Sequence, residues 1–584
     1  MQIISLLCTI VPQTSILLQP EWFIANTGSI MAGCIAAGIY TTNTAEACHY
    51  VSDHSKAEVI VLEGSKQLVK YTMLPSPLPH LKCIVVWGEP VDRNLAGKIS
   101  VPVYDWNEFL TLGAQVPEVS VDSRTVDIQP GNCASLIYTS GTTGPPKAVM
   151  ISHDNLTWTA SNIVENYVDL NHEDSVISYL PLSHIAAQLI DIHAVLALGA
   201  STYFAQPDAL KGSLTVTLRE VRPTIFFGVP RVWEKIQEKM VQLGRETTGI
   251  KKTLSTWAKS CGAEHTRLSQ FGAAGGKPWG YGCAKSIVLS KIREALGLDR
   301  NKIALSAAAP ISEETLLYFG SLDIPIYEVF GQSECTGPHT VSSPGNWRIG
   351  YCGRPIRGTE TKIDSVTQEL CYRGRHIFMG YMYMPDKTAE TIDDEGYLHS
   401  GDVAAFDTND QADVPRPSGF MKITGRIKEL IITAGGENVP PVLIEDAMKA
   451  AMVAVSNCMV IGDRRKFLSL LVSLKVDMDP ETAAPTDQLA KDSLFVGQQI
   501  GSSATTYSQA MVDPLWVQYV ADGIKRGNAK TTSNAQLVQK WKWLPADFSE
   551  KAGELTPTLK LKRNVVAAKY QNLIESIYAE DNEK

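Results

Sequence analysis

The sequence predicts an α/β protein of at least two domains, and three observations carry that prediction. At 584 residues the chain is longer than one hydrophobic core ordinarily serves. Short apolar runs rich in β-branched residues alternate with helix-like segments, the pattern of parallel strands joined by crossover helices. Residues 138–147, Tyr-Thr-Ser-Gly-Thr-Thr-Gly-Pro-Pro-Lys, leave one such run as a ligand loop leaves the carboxyl end of a strand.

Taken in order, residues 1–8 are apolar, with no Lys or Arg before Lys56, so they read as a core strand and not as a signal peptide. Residues 42–55 read as a helix whose Thr and Asn supply its cap. Residues 59–62 and 83–87 read as strands, and 134–137 as the end of a buried one. Further strands are expected at 176–180, 224–228, 303–306 and 323–326. The stretch 244–297 reads as an exposed helical insertion broken by glycines at 272–276, and the proline-rich 410–417 as an exposed loop. No apolar run is long enough to span a bilayer.

Composition excludes several classes. With 44% hydrophobic and 20% charged residues the chain is an ordinary globular one. A net charge of −9 and no basic block argue against a nucleic-acid partner. The 11 cysteines show no C-x-x-C pair and no regular spacing, so neither a zinc site nor a disulfide framework is expected. They read as reduced, buried thiols of an intracellular protein that is not secreted.

The loop at 138–147 has the chemistry of a phosphate grip. Gly141 and Gly144 let backbone N–H groups approach an anion, Thr139, Ser140, Thr142 and Thr143 add hydroxyl donors, and Lys147 adds charge. Pro145 and Pro146 stiffen the return, and Pro146 stands where a P-loop would need glycine, so the Walker spacing fails.

This loop resembles the phosphate signature of the adenylate-forming (ANL) superfamily, and residues 21–51 resemble long-chain fatty acyl-CoA synthetases of the bubblegum type. The resemblance runs from about residue 21 to the C-terminus and implies the rest of the site. It makes Tyr327, Glu328, Val329, Phe330, Gly331, Gln332, Ser333 and Glu334 the adenine, α-phosphate and Mg²⁺ motif, with Phe330 against adenine, Ser333 at the α-phosphate and Glu334 as metal ligand. By the same resemblance Ala308 lies in the adenine-side loop, and Asp402 accepts the ribose hydroxyls with help from Arg426. Lys428 is the hinge, Gly435 and Gly436 line the coenzyme A tunnel, and Lys560 is the adenylation lysine. His184 borders the carboxylate and thiol entrance, and Ile185, Leu189, Phe226, Phe227 and Val229 are candidates for the acyl pocket.

The implied architecture is a large N-terminal domain, 1–425, of stacked mostly parallel sheets flanked by helices, then a hinge at 426–428. A smaller mobile α+β lid, 429–584, follows. The implied reaction uses ATP, Mg²⁺ and coenzyme A to activate a long- or very-long-chain fatty acid. The expected setting is cytoplasmic, or peripheral at membranes such as the endoplasmic reticulum, with transient contact at the membrane surface.

Two departures from the family pattern stand out. One further segment ordinarily precedes residue 21, so the chain reads as shortened at its N-terminus, with 1–20 as foreign sequence. Residues 365–369 also lack the glycine ordinarily found before Glu369, which suggests a local deletion. Two alternatives stay open: an adenylate-forming enzyme with another acyl acceptor, and a shortened, catalytically impaired homologue that binds lipid or nucleotide.

Overall fold

The computed structural model describes residues 3–8, 20–139, 145–407, 419–433, 438–479, 482, 484–531, 533–556 and 561–579. Three sheets build the first four hundred or so residues. The first, eight-stranded, runs Gly380–Tyr381, Lys147–Ser152, Cys133–Thr139, Ile35–Tyr40, Ile3–Cys8, Val59–Glu63, Cys83–Trp87, Val103–Asp105. From Cys133–Thr139 to the Val103–Asp105 edge every pairing is parallel. Ile3–Cys8 fills the position between Ile35–Tyr40 and Val59–Glu63, in agreement with the core-strand reading of the opening residues.

The second sheet, seven-stranded, runs Arg354–Pro355, Gly337–Val341, Ile326–Gln332, Ile303–Ser306, Ile225–Gly228, Ser175–Ser178, Ser201–Phe204. It is parallel from Ile326–Gln332 onward and antiparallel at the other edge. The third, Glu360–Ile363, Glu369–Arg373, Leu398–Phe406, Met421–Arg426, is wholly antiparallel. Beyond it a separate three-stranded sheet, Val455–Ile461, Leu468–Leu474, Val538–Trp543, carries its own apolar core around Trp516, Met448 and Leu470.

Local chemistry explains the helix starts. Thr44 caps Ala45–His54 through its hydroxyl, so the expected helix begins three residues later than 42. Ser152 and Asn155 form a reciprocal capping box at His153–Asn166, which turns the chain back from the phosphate loop. Pro230 at the first helical position opens Pro230–Arg245.

Two expectations are corrected. The strand expected at 323–326 begins only at Ile326, because Asp323 sits at φ 61° in a turn and Pro325 has no N–H for the ladder. The insertion after residue 244 is not wholly exposed. Helix Gly249–Ser269 buries Ala258, Cys261 and Thr266, and a Cβ on Gly262 would lie 2.2 Å from the Ser321 carbonyl oxygen. At 364–369 the Asp364 carboxylate accepts from the Val366 and Thr367 N–H groups, and Gln368 takes φ 58° where the family pattern places glycine. The loop at 410–417 lies outside the described residues.

From Cys34 to Cys458 the cysteines are buried except Cys283, which is exposed, and Cys352, which is half-buried. Among the described residues no helix is long and apolar enough to cross a membrane.

Candidate active site

The phosphate loop leaves the strand Cys133–Thr139 and returns as Lys147–Ser152, with Thr139 directly opposite Lys147 in the antiparallel register. Ser140, Gly141, Thr142, Thr143 and Gly144 lie outside the described residues; its ends do not. Pro145 is exposed, and the Pro146 carbonyl accepts the Tyr50 hydroxyl at 3.0 Å. Lys147 Nζ stands 4.3 Å from the centre of the Tyr381 ring. The Tyr381 hydroxyl donates to Glu334 Oε1 at 2.8 Å. One tyrosine thus joins the lysine of the first motif to the acid of the second.

Burial lowers the Lys147 pKa; Glu334 works against that shift, and Lys428 and Lys387 add to it. Lys147, Glu334 and Lys428 therefore share one electrostatic neighbourhood, although they come from three distant parts of the chain.

Glu334 is held by its backbone. It sits in the turn Ser333–Cys335 after Ile326–Gln332, its carbonyl accepts the Phe378 N–H at 2.9 Å, and Thr336 closes the turn at φ 55°. Ser333 is buried beside it. Gly331 is obligatory, since a Cβ there would lie 1.7 Å from the Gly337 carbonyl oxygen.

Along Ile326–Gln332 the side chains divide. The Tyr327 ring packs edge-on against Trp347 in the interior, and the Gln332 amide donates to the Tyr372 hydroxyl at 2.6 Å. Val329 is half-buried, and Phe330, also half-buried, packs on the cluster of Ile137, Ile185 and Cys335 where the two large sheets meet. Glu328 faces Ser306 across the parallel register, and Glu328 Oε1 and Ser306 Oγ are both buried with no hydrogen-bond partner among the described residues. Burial, with Glu313 nearby, pushes the Glu328 carboxyl up to about 8. Two such atoms at adjacent strand positions are open to a hydrogen bond from a bound ligand or an ordered water. Ala308, two residues past Ser306, holds φ 75°, a strained setting for a residue with a Cβ.

Asp402 and Arg426 are direct register partners in the third sheet, and Arg426 Nε donates to Asp402 Oδ1 at 3.0 Å. Asp402 raises the arginine's pKa first, and Glu334 contributes to the same shift, which brings this pair into the field of the metal-motif acid. Lys428 follows in the short turn Ile427–Glu429.

His184 caps the helix Ile185–Gln188, its Nδ1 accepting the Ala186 N–H at 3.2 Å. With Leu180, Pro181, Ala187, Phe227, Val229 and Ala308 it lines an apolar cleft. Of the acyl-pocket candidates Phe227 and Val229 border this cleft, whereas Ile185, Leu189 and Phe226 do not; all five are buried.

Gly435, Gly436 and Lys560 lie outside the described residues. The segment that carries Lys560 is bracketed by an antiparallel bridge between Leu555 and Leu561 and by the Lys562 N–H to Glu554 carbonyl bond of 2.8 Å. Just beyond, Arg563 pairs with Glu445 and approaches Glu429 at 3.5 Å, linking that segment to the turn that holds Lys428.

The sequence reading missed Tyr381. Tyr381 follows a glycine in a two-residue strand with no motif of its own, so only its pairing with Val149 brings it to Glu334.

A lysine closing the loop after Cys133–Thr139, an acid in the turn after Ile326–Gln332 and an Asp–Arg pair in the antiparallel third sheet form the arrangement expected of the adenylate-forming class. The comparisons agree, since residues 18–382 match the AMP-binding enzyme family and residues 428–582 the AMP-binding enzyme C-terminal domain. Within that class the chain belongs to the long-chain-fatty-acid–CoA ligases of the ACSBG, or bubblegum, type. It is 49% identical to ACSBG2 of Xenopus laevis, the alignment covering 96% of this chain and 75% of that protein. It is 46% identical to ACSBG2 of Gallus gallus (97% and 73%) and 44% identical to ACSBG1 of Mus musculus (97% and 77%). Among solved structures, the A-PCP didomain of the Segniliparus rugosus carboxylic acid reductase with AMP shares the fold at a TM-score of 0.70 and 21% identity, covering all of this chain and 72% of that one. ATP-bound MatB from Rhodopseudomonas palustris shares it at 0.62 and 18%, covering 98% and 90%.

Proposed function

We propose that this chain is an AMP-forming ligase that converts a long- or very-long-chain fatty acid, ATP and coenzyme A into acyl-CoA, AMP and diphosphate. The observation that carries the reading is the convergence of Lys147, Glu334, Asp402, Arg426 and Lys428, in a chain of the ACSBG family.

In the first half-reaction the fatty carboxylate oxygen attacks the α-phosphorus of ATP, and the bond to the leaving diphosphate breaks. Lys147 neutralises phosphate charge, Ser333 contacts the α-phosphate, and Asp402 with Arg426 holds the ribose. Glu334 suits Mg²⁺, a hard cation that takes carboxylate oxygen, and its backbone anchoring and the Tyr381 bond hold that oxygen beside the phosphate loop. When bound, the ion would neutralise charge on the leaving diphosphate. In the second half-reaction the coenzyme A thiol attacks the acyl carbon and AMP leaves with the bonding pair.

Ala308 borders the small apolar cleft beside His184, which we assign to the carboxylate end of the fatty acid, next to the nucleotide. We assign residues 1–425 to a large domain, 426–428 to the hinge and 429–584 to a lid carrying Lys560. Separate cores and separate sheets on either side of that point support the division.

The test is diphosphate and acyl-CoA formation from ATP, coenzyme A and a panel of long and very long fatty acids, with Lys560→Ala in parallel. Product from the chain and a loss of about 10²- to 10³-fold in the variant is the expected result, the scale for one well-placed charge at a transition state. A folded chain that forms neither product would overturn the ligase reading in favour of a lipid- or nucleotide-binding homologue. Membrane contact, on this proposal, is transient and made through substrate delivery. Protein that resists both salt and alkaline extraction from membranes would sink that part of it.

A further inference from the structure

Glu369 belongs to no nucleotide motif identified above, yet its carboxylate spans the turn that presents Asp402. It opens the strand Glu369–Arg373, where the ladder with Leu398–Phe406 shifts register between Glu369 and Cys371. The bulge brings the carboxylate under the neighbouring turn. Oε1 accepts the Gly401 N–H at 2.8 Å, and Oε2 meets His399 Nδ1 at 2.9 Å. The other nitrogen, His399 Nε2, lies 3.3 Å from Asp393 Oδ2. Gly401 sits at φ 72°, and the Asp402 N–H bonds the Ser400 hydroxyl at 3.1 Å. The residues on both sides of Ser400 are therefore tied to one carboxylate.

We propose that Glu369 and His399 are positioning residues for nucleotide binding, fixing the 399–402 turn so that Asp402 is presented to the ribose. The inference rests on the ribose reading of Asp402 given above.

A divalent cation is the competing occupant, because ligand atoms of Glu369, Cys371 and His399 all lie within 4.8 Å of one another. The hydrogen bonding argues against it. Both Glu369 oxygens and both His399 nitrogens already have partners within the relay. Burial, then Glu369 itself, pushes the Cys371 thiol up to about 12, so the thiolate that a metal would need is disfavoured.

His399 faces Glu369 and Cys371 on the adjacent strand and Asp393 in the segment after helix Pro385–Thr391. Lys362 and Asp364, at the end of Glu360–Ile363, complete its charged surroundings. Burial lowers its pKa, but the bonds and charges of Glu369 and Asp393 outweigh burial and raise it overall. The bridge therefore needs the imidazolium. It is complete below the ordinary histidine pKa and is lost as pH rises through the raised value.

The experiment compares Glu369→Ala, Glu369→Gln, His399→Asn and Asp402→Ala by steady-state kinetics and by calorimetric AMP binding, with melting temperature as the check on folding. Losing a charge-assisted bond predicts a rise in KM for ATP of roughly tenfold in Glu369→Ala and His399→Asn, with KM for the fatty acid almost unchanged. Glu369→Gln, which keeps an acceptor for Gly401, should fall between. Adding Glu369→Ala to Asp402→Ala should cost no further ATP affinity, a non-additivity that general loosening of the fold would not give. KM for ATP should climb on the alkaline side in the parent chain and stay flat in His399→Asn.

If Asp402→Ala weakens ATP and AMP binding while folded Glu369→Gln and His399→Asn bind like the parent, positioning is wrong and the ribose reading stands. If Asp402→Ala binds nucleotide normally, the ribose reading fails and takes this inference with it. Tight zinc uptake by the parent that is lost in Cys371→Ser would replace the relay by a metal site.

Discussion

Glu328 shows most plainly how a single residue's surroundings, and not its type, set its behaviour. It lies between buried Tyr327 and half-buried Val329, and its side chain faces burial, Glu313 and one orphaned neighbour, so its carboxyl is held neutral up to about 8. An acid whose folded pKa lies above its unfolded value binds more protons folded than unfolded. Its contribution to stability therefore falls as pH rises from the ordinary carboxylate range toward 8. Glu328→Gln removes that term. Denaturant midpoints at pH 5, 6.5 and 8 should fall less steeply with pH in the variant than in the parent. Parallel curves would show that Glu328 does not carry the shift. Tyr381 makes the companion point, because nothing in a Gly-Tyr dipeptide announces that the ring will sit under Lys147 and the hydroxyl on Glu334.

At the scale of elements, the motifs were legible where one strand and the turn after it supply all the chemistry. Residues 138–147 and 327–334 are of that kind: the first begins on Cys133–Thr139 and returns as Lys147–Ser152, and the second runs along Ile326–Gln332 into the turn after it. What stayed hidden are residues whose role depends on a second element. Arg563 opens the helix Arg563–Lys569, yet its partners Glu445 and Glu429 lie more than a hundred residues earlier. Glu445 is buried and also accepts the Val460 N–H at 2.7 Å. Arg563→Leu would strand that carboxylate, at a cost of about 3 to 5 kcal/mol to the three-stranded unit. Arg563→Lys should recover only part of this, since one ammonium cannot reproduce the fork. Chemical denaturation checks both; a loss below about 1 kcal/mol in Arg563→Leu would show the pair to be dispensable.

At the scale of the molecule, the two parts of the chain meet through a line of alternating charges. Arg231 approaches Glu238 at 3.6 Å, Glu238 meets Lys475 at 2.7 Å, Lys475 approaches Asp492 at 3.4 Å, and Asp492 meets Arg245 at 3.0 Å. The Arg245 guanidinium also lies 4.2 Å from the Phe495 ring centre. Helix Pro230–Arg245 supplies one side, and Lys475, Asp492 and Phe495 supply the other. Lys475 is 17% exposed and Asp492 7%, so salt screens this line less than a surface pair. Lys475→Met removes the cation between Glu238 and Asp492 and leaves each acid only its outer arginine, Arg231 and Arg245. Proteolysis near residues 426–428 should then be several times faster than in the parent, following the higher population of the undocked form. Cleavage at the parent rate would mean that the line does not hold the junction.

The sequence by itself determined the class. Strand-length apolar runs, glycines where an anion must approach, and one acid or lysine at each turn are local requirements, and local requirements are written in consecutive residues. Only the tertiary structure decided how these pieces are held. The Tyr381 link from Lys147 to Glu334, the cross-strand orphans Ser306 and Glu328, the Glu369–His399 relay under Asp402 and the charge line through Lys475 each join segments far apart in the chain. Their energetics depend on burial and on distances of a few ångströms, quantities that arise only when the sheets stack and the strands fall into register.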